Sequence, residues 1–348
     1  MFVGHEFLAF AIAGWVALRL GGDDRAAIHA GLVAGVAALL PDLDIGYAVA
    51  TCAVAVAGGT PLGWEPFWGV ANATHRVVTH TLPTGGVATL VFGAAVAVAR
   101  RQGAVGDRSR SRRGQVTTVA SAGLAVVGVA TLLVGFRTAV SPAAAVVAAG
   151  FLACVAATGW ALATRTELST PAMTAAAGVG VVLHPCGDVF LAAPPPLFSP
   201  VGPPVWTGRV ALSADPTLDL LGVLFVELAT VWAGLAVFSR VAGDRMDLGG
   251  RARDAVDRRA GVGLAYAPTA VLLPRPTSAD AHILGATIVP FAAIVGVWAW
   301  VASTRRDGGT EHADTGGFGV TSVYIGVVSA TTALGLAAVA YAAVYTVV

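Results

Sequence analysis

Four short polar motifs interrupt a chain that is otherwise strongly apolar, and each of them carries histidine or aspartate. In chain order they are Gly4-His5, Pro41-Asp42-Leu43-Asp44, His75-Arg76-Val77-Val78-Thr79-His80 and His184-Pro185-Cys186-Gly187-Asp188. Imidazole and carboxylate groups are the usual protein ligands of zinc, iron and manganese. These residue types therefore predict a shared metal centre, provided that the fold brings the four motifs together.

The spacing inside two of the motifs suits ligands that face one side. Asp42 and Asp44 are two residues apart, so an extended segment projects both carboxylates in the same direction. His184 and Asp188 are four residues apart, which stacks them on one face of a helix. Any one of these residues alone could instead cap a helix or form a turn. The combination favours a metal site.

The third motif supplies two histidines and two residues that could assist them. His75 and His80 are five residues apart, which on a helix separates them by about 140°. We therefore expect the segment to turn between them, with His80 near a helix start. Arg76 could present its guanidinium fork to phosphate oxygens, and Thr79 could orient a metal ligand.

Charge is scarce along the whole chain of 348 residues. Hydrophobic residues make up 56% and charged residues 12%, the mean hydropathy is +0.76 and the net charge is +1. Soluble domains average about 25% charged residues. The composition excludes a soluble domain with a charged surface, a disordered chain and a disulfide scaffold, and we expect the lipid bilayer, not nucleic acid, as partner. It predicts an all-α fold, a polytopic transmembrane helical bundle of about 8–10 spans.

The apolar segments define the expected spans. They lie near residues 6–20, 26–40, 81–99, 116–135, 138–163, 171–190, 218–239, 261–274, 281–302 and 318–347. The apolar stretch 45–58 has about 14 residues, fewer than the roughly 20 needed to cross, so we interpret it as re-entrant or interfacial. Residues 1–200 are expected to form a membrane-embedded domain with the motifs, and residues 201–348 additional helices of unknown role.

Clusters of arginine predict the orientation in the cell membrane. Short loops rich in arginine stay in the cytoplasm, and such clusters follow the third span (residues 100–113) and the seventh span (residues 240–259). Counting spans from these loops places all four polar motifs on the extracytoplasmic face. Arg305 and Arg306 fit the cytoplasmic side only if the segment 261–274 crosses the membrane.

The four motifs, in this order, resemble the YdjM-type family of membrane-bound, metal-dependent hydrolases. Its pattern is Gly-His, Pro-Asp-x-Asp, His-Arg-x-x-Thr-His and a late His-x-x-x-Asp followed by a proline-containing loop, and here the match covers residues 1 to about 200. This chain has Thr81 where members often have serine. The resemblance implies a fold distantly similar to zinc-dependent phospholipase C, and hence phosphoester hydrolysis.

The motifs and the resemblance together predict a membrane-bound metal-dependent hydrolase acting on a phosphoester, a lipid or a lipid-linked substrate. One to three divalent ions, zinc first, would be bound by seven residues: His5, Asp42, Asp44, His75, His80, His184 and Asp188. Asp44 is also a candidate general base, with Arg76 binding phosphate and Thr79 orienting a ligand. The alternative is a metal-binding transporter or a structural or regulatory membrane protein.

Overall fold

The computed structural model describes residues 3–59, 63, 67, 69, 76–103, 112–190, 194–243, 255–277, 281–307 and 319–348. Within these ranges the elements are helical and no strand occurs. Eight of the described stretches are long and apolar enough to span a membrane: Asp24–Ala57, Leu82–Gln102, Thr118–Ala139, Pro142–Leu162, Thr170–Phe190, Pro216–Ala242, Ala286–Arg305 and Val320–Tyr345. The predicted all-α polytopic bundle is confirmed.

The chain forms two compact units, Met1–Val210 and Ala211–Val348. The described helices of the first unit are α1 (Gly4–Arg19), α2 (Asp24–Leu39), α3 (Ile45–Ala57), α4 (Leu82–Gln102), α5 (Arg112–Ala139), α6 (Pro142–Leu162) and α7 (Thr170–Gly187). Short 3₁₀ helices at Pro41–Asp44 and Asp188–Phe190 follow α2 and α7. Both carry residues of the polar motifs.

Side-chain caps fix where several of these helices begin. The side chains of Asp23, Thr81, Ser141 and Ser169 each accept a hydrogen bond from the backbone N–H three residues later, and α4, α6 and α7 also have proline in their first two positions. Such caps satisfy a backbone donor that the helix itself leaves unpaired. The cap at Thr81 places His80 immediately before α4, as the spacing of the third motif predicts.

Helices α2 and α7 pack backbone against backbone. Gly180 of α7 faces Ala34 and Ala38 of α2, and a Cβ at Gly180 would lie only 2.7 Å from the Ala38 nitrogen. Ala34, Ala37 and Ala38 are fully buried at this crossing. Because the helices approach so closely, the end of α7 lies beside the end of α2. Their polar motifs follow at those ends.

The second unit contains α8 (Pro216–Ala242), a 3₁₀ helix (Arg258–Tyr266), α9 (Thr269–Leu272), α10 (Ala281–Asp307) and α11 (Val320–Tyr345). Asp215 caps α8 by accepting hydrogen bonds from the N–H groups of Thr217 and Leu218. The Tyr345 hydroxyl donates to the other Asp215 oxygen over 2.8 Å. This bond joins the start of α8 to the end of α11.

The predicted span at residues 261–274 is wrong. The segment forms a 3₁₀ helix and the four-residue α9, with Pro268 between them. Proline lacks an N–H and cannot continue a helical hydrogen-bond ladder. Gly263 lies against the Ala333 carbonyl of α11, where a Cβ would collide. Without this crossing, the cytoplasmic assignment of Arg305 and Arg306 loses its basis.

Candidate metal centre

Five side chains from different helix ends converge at one place in the first unit. His5 lies in the first turn of α1, Asp42 in the 3₁₀ helix after α2, and His80 just before α4. His184 lies in the last turn of α7, and Asp188 begins the 3₁₀ helix that follows. The four polar motifs of the sequence each contribute to this cluster.

The His80 Nε2 atom is central among these groups. It lies 3.0 Å from His184 Nε2, 3.4 Å from Asp42 Oδ1 and 3.2 Å from Asp188 Oδ2. The His184 Nε2 atom is 3.3 Å from the same Asp42 oxygen. His5 Nε2 is 3.4 Å from Asp188 Oδ1, and its ring packs on that of His184 with centroids 4.1 Å apart.

These distances suit a divalent ion bound between the side chains. Zinc–ligand bonds of about 2.0–2.2 Å put neighbouring tetrahedral ligand atoms roughly 3.3–3.6 Å apart. Among the described residues, two sets of three bring potential ligand atoms within 4.8 Å of one another: Asp42, His80 and His184; and His5, His184 and Asp188. Two carboxylates and three neutral imidazoles carry a formal charge of −2, which matches a divalent cation.

Burial leaves one side of the cluster open. The side chains of His80 and His184 are fully buried, and those of His5 and Asp188 nearly so, whereas the Asp42 side chain is 31% exposed. The His5 Nε2 atom is buried, and no hydrogen-bond partner for it occurs among the described residues. A metal ion would satisfy this nitrogen. A small molecule would reach the cluster from the Asp42 side.

The neighbouring carboxylates raise the pKa of the His80 imidazole. Burial by itself lowers its pKa, but the hydrogen bonds and charges of Asp188 and Asp42 outweigh burial and raise the pKa to about 9. In the metal-free protein at neutral pH, His80 is therefore protonated. A proton then occupies the position where a cation would bind.

The remaining predicted site residues are placed differently. Asp44 belongs to neither set of three, and its Oδ2 accepts a hydrogen bond of 2.7 Å from Thr79 Oγ1. Thr79 Oγ1 also lies 2.9 Å from His80 Nδ1. Arg76 Nη2 is 3.9 Å from Asp188 Oδ2, with 18% of its side chain exposed. His75 lies outside the described residues.

The proline-containing loop after Asp188 lies beside the start of α4. The Leu82 N–H donates to the Leu197 carbonyl over 2.8 Å. The Val210 N–H donates to the Val189 carbonyl, and Arg209 donates to the Phe190 carbonyl. The first bond holds Leu197 close to His80, and the other two join the ends of the loop close to Asp188. The sequence showed that a proline-containing loop follows the fourth motif, but it did not show where this loop lies.

Comparison with known proteins supports the predicted family. The family model of the YdjM inner membrane protein matches residues 1–246, which include all four polar motifs. No curated protein and no solved structure matches the chain significantly. Since the family model covers well over half of the sequence, the chain belongs to the YdjM inner membrane protein family and is a multi-pass membrane protein.

Proposed function

We propose that this protein is a membrane-bound, metal-dependent hydrolase whose divalent ion, zinc by preference, is bound by His5, Asp42, His80, His184 and Asp188. The observation that supports this most directly is the triangle formed by His80 Nε2, His184 Nε2 and Asp42 Oδ1, with sides of 3.0, 3.3 and 3.4 Å. Among the described residues, His184 belongs to both sets of three potential ligands, and His80 Nε2 also lies near Asp188. We therefore expect between one and three ions.

The bound ion would supply Lewis acidity and lower the pKa of a coordinated water to about 7. The chain's own residues define how a substrate would approach. Asp42 leaves one side of the cluster accessible, and the guanidinium of Arg76 lies at the edge of the same cluster. Arginine binds the oxygens of a phosphate through paired hydrogen bonds. A phosphoester would therefore be oriented by Arg76 at the open side.

A lipid or lipid-linked substrate fits the surroundings of the cluster. Helix α3 follows Asp44 directly, and the side chains of Val49, Val54 and Val56 on it are exposed. An exposed apolar helix beside a polar site can pack against an acyl chain while the headgroup reaches the metal. The counting of spans from the arginine loops supports a site on the extracytoplasmic face.

The test begins with purified full-length protein in detergent. We expect between one and three equivalents of zinc by elemental analysis, and hydrolysis of a phosphodiester or phospholipid that is abolished by a chelator and restored by zinc. Arg76→Gln should retain the zinc and lose most of the activity. Activity that persists after complete removal of metal would overturn the proposal. Zinc uptake by proteoliposomes without hydrolysis would instead indicate a transporter.

A further inference from the structure

Thr79 of the third polar motif links His80, a member of the metal-ligand cluster, to Asp44 through hydrogen bonds. Thr79 Oγ1 donates to Asp44 Oδ2 over 2.7 Å and lies 2.9 Å from His80 Nδ1. Thr79 and His80 are both almost fully buried. The Asp44 carboxylate is separated from Thr79 by 35 residues in sequence. These hydrogen bonds thus join the 3₁₀ helix after α2 to the turn before α4.

The chemistry of the three side chains determines which atom donates in each of these hydrogen bonds. An ionised carboxylate can only accept hydrogen bonds, so the single hydroxyl proton of Thr79 points to Asp44. Thr79 Oγ1 is then an acceptor toward His80. The His80 Nδ1 atom must therefore carry the proton in that contact. In the neutral imidazole with Nδ1 protonated, the lone pair is on Nε2, which is the atom that faces Asp42, His184 and Asp188.

We infer that Asp44 and Thr79 are positioning residues that fix the tautomer and ring orientation of His80, and that Asp44 is neither a metal ligand nor the general base. This inference rests on the proposed metal centre and assigns Asp44 a different role from the one its motif predicts. Ligand histidines commonly donate their second ring N–H to such a partner, and removal of the partner typically weakens metal binding by about 10–100-fold.

His184 provides an internal contrast. Its Nδ1 atom is buried without a hydrogen-bond partner among the described residues, although its Nε2 atom faces the same cluster. Its ring is instead in contact with the rings of His5 and His80, at centroid distances of 4.1 and 4.6 Å. Packing therefore orients His184, whereas hydrogen bonds orient His80. The loss of Thr79 should affect His80 specifically.

Zinc affinity, measured by competition with a chromophoric chelator, tests the inference. Thr79→Val should weaken binding about 10–100-fold, and Thr79→Ser, which keeps the hydroxyl, should restore it. Asp44→Ala should act like Thr79→Val, and the double variant should be no weaker than either single variant. Asp44→Asn keeps an oxygen acceptor and should bind zinc almost normally. Thr89→Val is the matched control, because the Thr89 hydroxyl donates to Gly85 O within its own helix.

A second measurement needs no metal. Protein labelled with ¹⁵N-histidine should show a slowly exchanging N–H at His80 Nδ1, absent in His80→Asn and lost in Thr79→Val, whereas the N–H at Nε2 of the protonated ring should remain in Thr79→Val. If the wild-type protein binds zinc and Thr79→Val binds it with the same affinity, the inference is overturned and the metal centre remains supported. A zinc affinity of Asp44→Asn as low as that of Asp44→Ala would identify Asp44 as a ligand instead. Absence of zinc from the wild-type protein would overturn the proposed function, while the N–H at His80 Nδ1 still reports on the hydrogen bond to Thr79.

Discussion

The Nε2 atoms of His80 and His184 lie 3.0 Å apart, although the two residues are separated by 104 positions in the sequence. Two imidazole nitrogens at this distance repel through their lone pairs unless a proton or a cation lies between them. In the metal-free protein the proton on His80 has this role, consistent with its raised pKa of about 9. A divalent ion would replace that proton and bind both nitrogens.

Removal of one of these nitrogens should abolish tight metal binding. His184→Asn keeps a polar side chain but loses the Nε2 ligand, so zinc affinity should fall by more than the roughly 10–100-fold that follows loss of an outer hydrogen bond. Elemental analysis and chelator competition measure the change. His29→Asn on α2 is the control, because His29 belongs to neither set of possible ligands. Equal zinc content in both variants would show that His184 is not a metal ligand.

Zinc binding should release a proton from His80. Below pH 9 the ion and the proton compete for Nε2, so the apparent affinity should rise about tenfold for each pH unit and level off near pH 9. Calorimetric titration in two buffers with different ionisation enthalpies counts the released protons, with about one expected at pH 7.5. Binding that does not vary with pH would exclude His80 as a ligand.

The stability of the metal-free protein should change with pH in the opposite direction. The pKa of His80 is about 9 in the folded protein, above the ordinary 6.5, so its protonation contributes its full stabilisation below pH 6.5. That contribution disappears as the pH rises through 9. The Tm of chelator-treated wild-type protein should therefore fall between pH 6.5 and 9 by more than that of His80→Asn. Parallel curves for the two proteins would contradict the raised pKa.

The sequence predicts the chemistry of this site better than its geometry. The residue types of the four motifs indicate the metal-ligand cluster because ionisable groups are costly in a membrane protein and tend to be functional. The separate placement of Asp44 was not predictable from the Pro-Asp-x-Asp spacing. An extended segment would present Asp42 and Asp44 together, but the observed 3₁₀ helix turns them toward different partners.

The fold, like the site, could be predicted from the sequence only in part. Length and hydropathy are sufficient to predict the long helices, since each must be apolar over about 20 residues to cross the bilayer. They fail at residues 261–274, where apolar composition accompanies a 3₁₀ helix and Pro268. Hydropathy also contains no information on which helices pack together. The contact between α2 and α7 depends on Gly180, whose significance is visible only beside Ala34 and Ala38.

The expected outer location of the site can be tested with a single cysteine. Val201 lies in the loop after Asp188 and is 70% exposed. In a protein whose three native cysteines are replaced by alanine, Val201→Cys should react with a membrane-impermeant thiol reagent added to spheroplasts. Arg165→Cys, in the connection between α6 and α7, should react only after the membrane is permeabilised. The reverse pattern would place the site on the cytoplasmic side.

The close contact between α2 and α7 should control the metal centre from a distance. Gly180→Ala would put a Cβ against the Ala38 nitrogen, and backbone cannot move aside as a flexible side chain can. We expect a loss of about 1–3 kcal/mol of stability, as is typical of overpacking, together with weaker zinc binding, because α7 would carry His184 away from Asp42. Gly150→Ala in α6 is the control, since its Cβ would meet no described atom within 4 Å. Thermal unfolding and chelator competition on both variants give the comparison. If the two variants matched in zinc affinity, the helix contact would not be what brings His184 to Asp42.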